Sequence, residues 1–411
     1  MKRRTFLGAA LAAPLAARLP AGAAGRGEAR TADGLEVVVI GAGVFGGWTA
    51  LDLVRRGARV TLVDGWGPGN SRASSGGETR VIRAAYSDPL YTRLAQRALA
   101  LWIENERAFG QRLYHRAGLL FMAGAQGREF LAAATRNLAA ASIPHETLAP
   151  DAIARRWPQI AVDGIDEAVF EPDAGYLLAR RSCAVVAEAF VAAGGRHVRM
   201  QARPGAFSNG KMPSLQLEDA SVLGADTFVF ACGPWLATLF PDVLGEVLSA
   251  TRQEVLFFGA PAGKRDYDEG RLPIWADIGD RLWYGIPGNE DRGFKIADDS
   301  RGPPFDPTDG ERRLSDAGLV SARAYLARRF PGLAKAPLVD ARVCQYEQTA
   351  DSNFIVDRHP GATNVWLVGG GSGHGFKHGP ALGEHVVQRL LGEALEEPKF
   401  SLAQRSKAVS G

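Results

Sequence analysis

Residues suited to chemistry gather at three places in this chain. The first is a turn: Gly41-Ala-Gly43-Val-Phe-Gly46 directly follows the apolar run Glu36-Val-Val-Val-Ile40. In such a turn Gly41 permits the tight bend, Gly43 lets backbone N–H groups approach a pyrophosphate, and Gly46 allows close helix–strand packing. The helix that follows meets the phosphates with its positive end. A second apolar run, Val60-Thr-Leu-Val63, ends at Asp64. That acid falls ~20 residues beyond Gly43, where a carboxylate accepts ribose hydroxyls. The second place is the stretch 369–375, with glycine at 369, 370, 371, 373 and 375, which packs backbone close to something flat and leads to Lys377. The third is Cys344, in Arg342-Val-Cys344-Gln-Tyr346.

The other candidate chemistry is thin. Cys183 lies in a helical apolar pattern and Cys232 ends a strand-like run, so both read as buried small apolar residues. Three cysteines are too few and too odd for a disulfide framework. The histidines (115, 145, 197, 359, 374, 378 and 385) show no metal-ligand spacing and read mostly as surface or loop residues. No Ser/His/Asp triad is readable, and no metal is assigned.

These groups need elements to hold them. The glycine turn sits between a buried parallel strand, 36–40, and a helix expected over 48–56, with the strand 60–63 behind it. Helical patterns follow at 91–109 and at 179–193, the latter ending at Gly194-Gly195. A strand at 223–231 leads into Cys232-Gly-Pro-Trp235 and marks a return to the nucleotide-binding sheet. Short β-like runs between 250 and 300, with Trp275, Trp283 and Tyr284, describe a separate antiparallel sheet, a lid over a substrate. The nucleotide-binding sheet resumes at 365–368, and its helix starts near Pro380 and ends around Leu391. The expected architecture is α/β: a Rossmann-type domain over 33–115, 166–236 and 340–395, with an inserted α+β substrate domain on an antiparallel sheet over 116–165 and 237–339. Residues 396–411 read as a tail.

Composition bounds the rest. At 411 residues the chain has room for two or three domains, and 46% hydrophobic with 23% charged residues excludes a disordered or fibrous chain. A net charge of +3, with no basic run interleaved with aromatics, argues against nucleic acid. After the first two dozen residues no apolar run is long enough to span a membrane. The opening Lys2-Arg3-Arg4-Thr5-Phe6-Leu7, a weak apolar stretch and Ala21-Gly22-Ala23 resemble a bacterial twin-arginine signal. Residues 1–30 are therefore set aside as an address to the periplasm or medium, through brief contact with the export machinery. The glycine turn alone does not choose between FAD and NAD. Its place at the start of the folded chain, and export away from the nicotinamide pool, favour a tightly held flavin.

Ser75-Gly-Gly-Glu-Thr-Arg80-Val-Ile-Arg83, Arg342-Val-Cys344-Gln-Tyr346 and Gly371-Ser-Gly-His-Gly-Phe-Lys377 resemble the monomeric sarcosine oxidase / N-methyltryptophan oxidase family of D-amino-acid-oxidase-like flavoproteins. The likeness runs from about residue 36 to 395. It implies FAD bonded covalently to Cys344, with Gly373, Gly375 and Lys377 also near the cofactor. Arg80 would set its charge against the flavin face, and Arg83 and Lys377 would hold a substrate carboxylate. Lys295 would promote reaction with oxygen, and Tyr284 would line the substrate cavity. Asp299 stands where the family carries one histidine and Gly76 where it carries another. An anion facing the substrate amine favours a cationic or larger basic substrate over sarcosine.

The activity so implied is FAD-dependent oxidation of secondary amino acids, N-methyl or cyclic, from amine to imine, with oxygen reduced to hydrogen peroxide. Two alternatives remain at this level: a flavin amine dehydrogenase that passes electrons to a quinone or protein acceptor, and a non-catalytic protein that retains FAD. Without the resemblance, Arg80 is a plain salt bridge on a helix, Lys377 a surface lysine, Lys295 a lysine on an exposed strand, Tyr284 core filler and Cys344 an ordinary strand cysteine.

Overall fold

A computed structural model describes residues 31–405; the expected signal segment 1–30 lies outside them. The described residues form one compact unit. Its nucleotide-binding layer is a six-stranded sheet in the order Ile355–His359, Ala362–Gly369, Thr227–Phe230, Glu36–Ile40, Arg59–Val63, Arg196–Val198. All neighbours are parallel except the Ile355–His359 edge. The central strand is Val-Val-Val-Ile because parallel strands are covered on both faces, so apolar residues run on without alternation.

The first helix, Val44–Arg55, begins at the turn itself, four residues before the expected start. Gly43 is its N-cap, so its first N–H groups face the place where phosphates are expected. It packs between Ala179–Ala192 and Gly379–Leu390.

The second layer is an eight-stranded sheet: Leu338–Thr349, Leu248–Phe258, Phe294–Asp298, Leu282–Ile286, Ile274–Ile278, Leu119–Ala123, Glu167–Glu171, Glu146–Leu148. It is antiparallel except where Ile274–Ile278 meets Leu119–Ala123. Two segments expected in the nucleotide-binding domain belong here: Glu167–Glu171, and Leu338–Thr349, which carries Cys344 and pairs along its length with Leu248–Phe258. The 396–411 stretch is not a free tail throughout, since Phe400 is buried and Arg405 donates to the carbonyls of Asn353 and Phe354.

One face of the large sheet is closed by the helix Asp316–Arg329, whose Tyr325 and Leu326 pack with Trp275, Trp283 and Phe294. Arg329 and Asp277 form a buried pair at 3.0 Å beneath it. The opposite face is left for the site. Pairings place Cys344 opposite Gln253, Tyr346 opposite Thr251, Lys295 opposite Phe257, Tyr284 opposite Ala297 and Phe121 opposite Ala276. Because side chains alternate with period two, all of these residues share that one face.

Candidate active site

The glycine turn, Asp64 and the glycine-dense loop line one cleft that opens to solvent, with Ser74, Ser75, Arg80, Tyr346 and Glu347 along its walls. A Cβ on Gly41 would stand 2.3 Å from the Ala231 carbonyl oxygen, and its φ of +103° excludes other residues. Gly43 is different: a Cβ there would meet only Ser75 Oγ, at 3.4 Å. The protein's own packing therefore leaves Gly43 room on the cleft side, as a close-approaching ligand requires. Asp64 accepts from the N–H groups of Ala42, Trp66 and Gly67, at 2.8, 2.9 and 2.6 Å. It braces the turn and also lines the cleft. Gly46 packs against the Gly41 carbonyl instead of lining it.

Arg80 lies on the strand Thr79–Ile82, not on a helix, and meets no carboxylate. Its guanidinium donates to the carbonyls of Thr79 and Ser74 and reaches Cys344 Sγ at 3.5 Å. Cys344 is buried and does not itself line the cleft, but Arg80 and Ser74, which its thiol touches, both do. Lys295 is only 1% exposed. Its Nζ donates to the Thr79 carbonyl at 2.9 Å and lies 5.7 Å from the Tyr284 ring centroid. Burial, and then the Arg80 charge, hold this amine well below the usual lysine range.

A second cavity shares Arg80, Tyr346, Gly373 and Phe376 with the cleft. Arg83, Lys377, Asp299, Tyr284 and Phe121 also line it. Lys377 is buried, at 5% exposure, and donates to Tyr86 Oη at 2.9 Å and to the His374 carbonyl at 2.8 Å. Burial and the Arg83 charge pull its amine well below its usual range. Asp299 accepts from the Tyr346 hydroxyl at 2.8 Å, and burial pushes its carboxyl up to about 6 against the opposing pull of that hydrogen bond, Arg83 and Lys377. Burial also raises the Tyr284 hydroxyl to about 12. Gly76 is buried in the turn Ser74–Gly76, where a Cβ would strike the Asn70 carbonyl at 1.8 Å. No side chain fits at this position.

Several residues of this site escaped the sequence. His378 is buried and His374, half-buried, lines the second cavity beside Lys377; both join Tyr86 in one hydrogen-bonded group. Glu347 lines the cleft with a buried Oε1 that has no partner, and burial lifts its carboxyl to about 7. Ser75 donates nothing to the expected motif but accepts from the Val44 N–H at 3.1 Å. The only readable signal was nearness to the motif residues. Among the described residues no cluster of acids, histidines or cysteines could hold a metal ion, and no helix is long and apolar enough to cross a membrane.

A family model described as "FAD dependent oxidoreductase" matches residues 36–389. The chain belongs to this family. The FAD-dependent oxidoreductase is 31% identical over 362 residues to the monomeric sarcosine oxidase of Bacillus sp. (strain B-0618), covering 87% of this chain and 92% of that one. It is 28% identical to the N-methyl-L-tryptophan oxidase of Yersinia pestis, over 90% and 99% of the two chains. Among solved structures, the L-proline dehydrogenase from P. horikoshii shares the fold with a TM-score of 0.79 at 18% identity, over 92% and 99% of the chains. The fructosyl peptide oxidase from E. terrenum does so at 0.78 and 23%, over 90% and 92%. The Rossmann-type layer with a substrate layer is thus the family's fold. The cleft fits FAD: the backbone at Gly43 is open to a pyrophosphate and the helix N-terminus faces it.

Proposed function

We propose that this protein is an exported FAD-dependent oxidase of secondary amino acids, N-methyl or cyclic, with the cofactor attached through Cys344. The carrying observation is the junction of the two cavities: Arg83 and Lys377 sit in a pocket that shares Arg80, Tyr346, Gly373 and Phe376 with the dinucleotide cleft. Two cations of different geometry suit a carboxylate, one as a fork and one as a point charge. Held in the cleft and joined through Cys344, FAD would supply a two-electron acceptor for oxidation of the amine to an imine, with oxygen as the final acceptor and hydrogen peroxide as its product.

The chain's own groups do the rest. Arg83 and Lys377 orient the substrate by its carboxylate, while Leu119, Phe121 and Tyr284 keep water from the reacting carbon. Arg80 holds its guanidinium 3.5 Å from the Cys344 sulfur, the atom that would join the cofactor. Lys295 is held by its bond to the Thr79 carbonyl, beside Arg80 and facing the Tyr284 ring. Asp299 is the anion in the cavity, and it favours N-substituted amino acids with a basic side chain over sarcosine.

The test is an anaerobic absorbance titration of the FAD-loaded protein with N-methyl and cyclic amino acids, followed by air. At least one is expected to bleach the flavin band, and air to restore it. In Lys295→Met the anaerobic bleaching survives and the return in air slows by about 100-fold or more, the scale of a lost electrostatic contact. A yellow protein that no amine bleaches overturns the substrate class. Bleaching without recovery in air makes the protein a dehydrogenase, and equal recovery in the variant removes Lys295 from the oxygen step.

A further inference from the structure

Behind the carboxylate-binding pair stands a residue that touches both members and lies outside the cavity lining. The guanidinium of Arg83 lies 4.1 Å from the centroid of the Tyr86 ring, and the Nζ of Lys377 donates to the Tyr86 hydroxyl at 2.9 Å. One side chain thus carries the fork on its ring face and the ammonium on its oxygen.

The hydroxyl is itself fixed from behind. Its oxygen is 3.3 Å from His374 Nδ1 and 3.0 Å from His378 Nε2. His374 Nε2 faces the Ser352 carbonyl at 2.9 Å, so that nitrogen carries the hydrogen and Nδ1 offers a lone pair. The Tyr86 hydrogen then goes to His374, and His378 Nε2–H donates to the Tyr86 oxygen. This leaves His378 Nδ1 as a bare lone pair, matching its buried position without a partner. The reverse arrangement would bury an N–H donor with no acceptor, the rarer and costlier defect. Both imidazoles are neutral, since burial holds His374 down at about 3 and His378 well below its usual range, with Lys377 adding to both shifts. The Tyr86 oxygen is therefore saturated by two N–H donors and cannot swing away from Lys377.

We propose that Tyr86, locked by His374 and His378, is the positioning residue of the carboxylate clamp and sustains the positive charge of Lys377. The proposal rests on the reading of Arg83 and Lys377 as that clamp. Lys377 is pressed to release its proton by burial and by Arg83, and is helped to keep it by Asp299 and Glu171. The Tyr86 oxygen accepts one of its three N–H bonds, and an acceptor favours the charged form. Removing it lowers the pH at which the clamp loses a cation.

The experiment titrates acetate into the FAD-loaded protein at pH 6 to 10 and follows the flavin spectrum. Tyr86→Phe keeps the ring under Arg83 and deletes only the hydroxyl. It is expected to weaken acetate about tenfold, and to move the alkaline loss of binding to lower pH. The KM of a reactive amino acid should rise while anaerobic flavin reduction at saturation changes little. An unchanged affinity and pH limit overturn the proposal. Lys377→Met separates the two readings. If it abolishes acetate binding and Tyr86→Phe changes nothing, the clamp stands and Tyr86 has no part in it. If acetate perturbs neither wild type nor Lys377→Met, the clamp itself falls, and this proposal with it. Should Tyr86→Phe fail to fold, His378→Leu leaves the tyrosine but frees its oxygen. The pH limit must then move the same way, and a limit equal to wild type also overturns the idea.

Discussion

At the scale of single residues, Glu347 shows how the cleft stores an unbalanced group. Its Oε1 is sealed beside Gly369, where a Cβ would come within 2.5 Å, and it has no hydrogen-bond partner. The other oxygen lies 3.5 Å from the Gly371 N–H, and the N–H groups of Gly371 and Gly370 pull against the effect of burial without overcoming it. An unpaired buried carboxylate is costly, so the group keeps its proton up to about 7 against 4.5 in an unfolded chain. A raised carboxyl costs nothing below the unfolded value, and its penalty grows as pH rises through 4.5 to 7, then stays constant. Glu347→Gln removes that titration. Its unfolding free energy relative to wild type should therefore climb by ~3 kcal/mol between pH 4.5 and 8, by the shift alone. Only the difference between the two proteins reads this. The wild-type profile also contains His374, whose lowered value works with the opposite sign and costs stability as pH falls below 6.5. Denaturant melts of both proteins at several pH values check it, and a difference that does not vary with pH would remove Glu347 from the balance.

At the scale of elements, the strand–turn–helix unit was legible because each glycine answers a separate steric demand, and those demands are local. The helix start was misplaced because the cap is a glycine, Gly43, with no side-chain acceptor to announce it. The assignment of Leu338–Thr349 was out of reach for another reason: its partner, Leu248–Phe258, lies far away in sequence, and pairing register is not written in either strand alone. The unit yields a paired prediction. Gly41→Ala forces a Cβ into the Ala231 carbonyl at a positive φ, so it should lower the melting temperature by several degrees with or without FAD. Gly43→Ala meets only Ser75 Oγ at a tolerable distance. It should leave the melting temperature of the FAD-free protein within about a degree while reducing FAD retention about tenfold or more, on the scale of a lost ligand contact. Absorbance ratios and thermal melts of the two variants decide the matter. If Gly43→Ala destabilises the FAD-free chain as much as Gly41→Ala, the open side of Gly43 is not a ligand's place.

At the scale of the whole molecule, the site exists only where two sheets meet. The cleft takes its walls from residues spread between Ile40 and Phe376, and the second cavity draws on Phe121, Tyr284 and Asp299 of the large sheet as well as Arg83 and Lys377. Family resemblance reached Arg83, Lys377, Tyr284 and Asp299 through the motifs it matched, but not Phe121, which sits in none of them. It missed Tyr86, His374 and His378 as a group because what unites them is a hydrogen-bonded oxygen, which has no spacing in sequence. An assembly drawn from so many segments gives FAD a complete cleft only once the chain has folded. All three cysteines are unpaired, and the proposed attachment of the cofactor at Cys344 would use a free thiol. The export proposed above would therefore suit a route that carries folded cargo, to which Arg3-Arg4 followed by an apolar stretch would direct the chain. Replacing both with lysine, Arg3→Lys with Arg4→Lys, keeps the charge and should strand the protein in the cytoplasm. There it should be yellow and fully loaded, while the wild type is recovered from the periplasm with its first segment removed. Fractionation, N-terminal mass and flavin absorbance read this together. A doubly substituted protein that still reaches the periplasm contradicts the twin-arginine reading. One that stays inside without flavin contradicts the idea that loading precedes export.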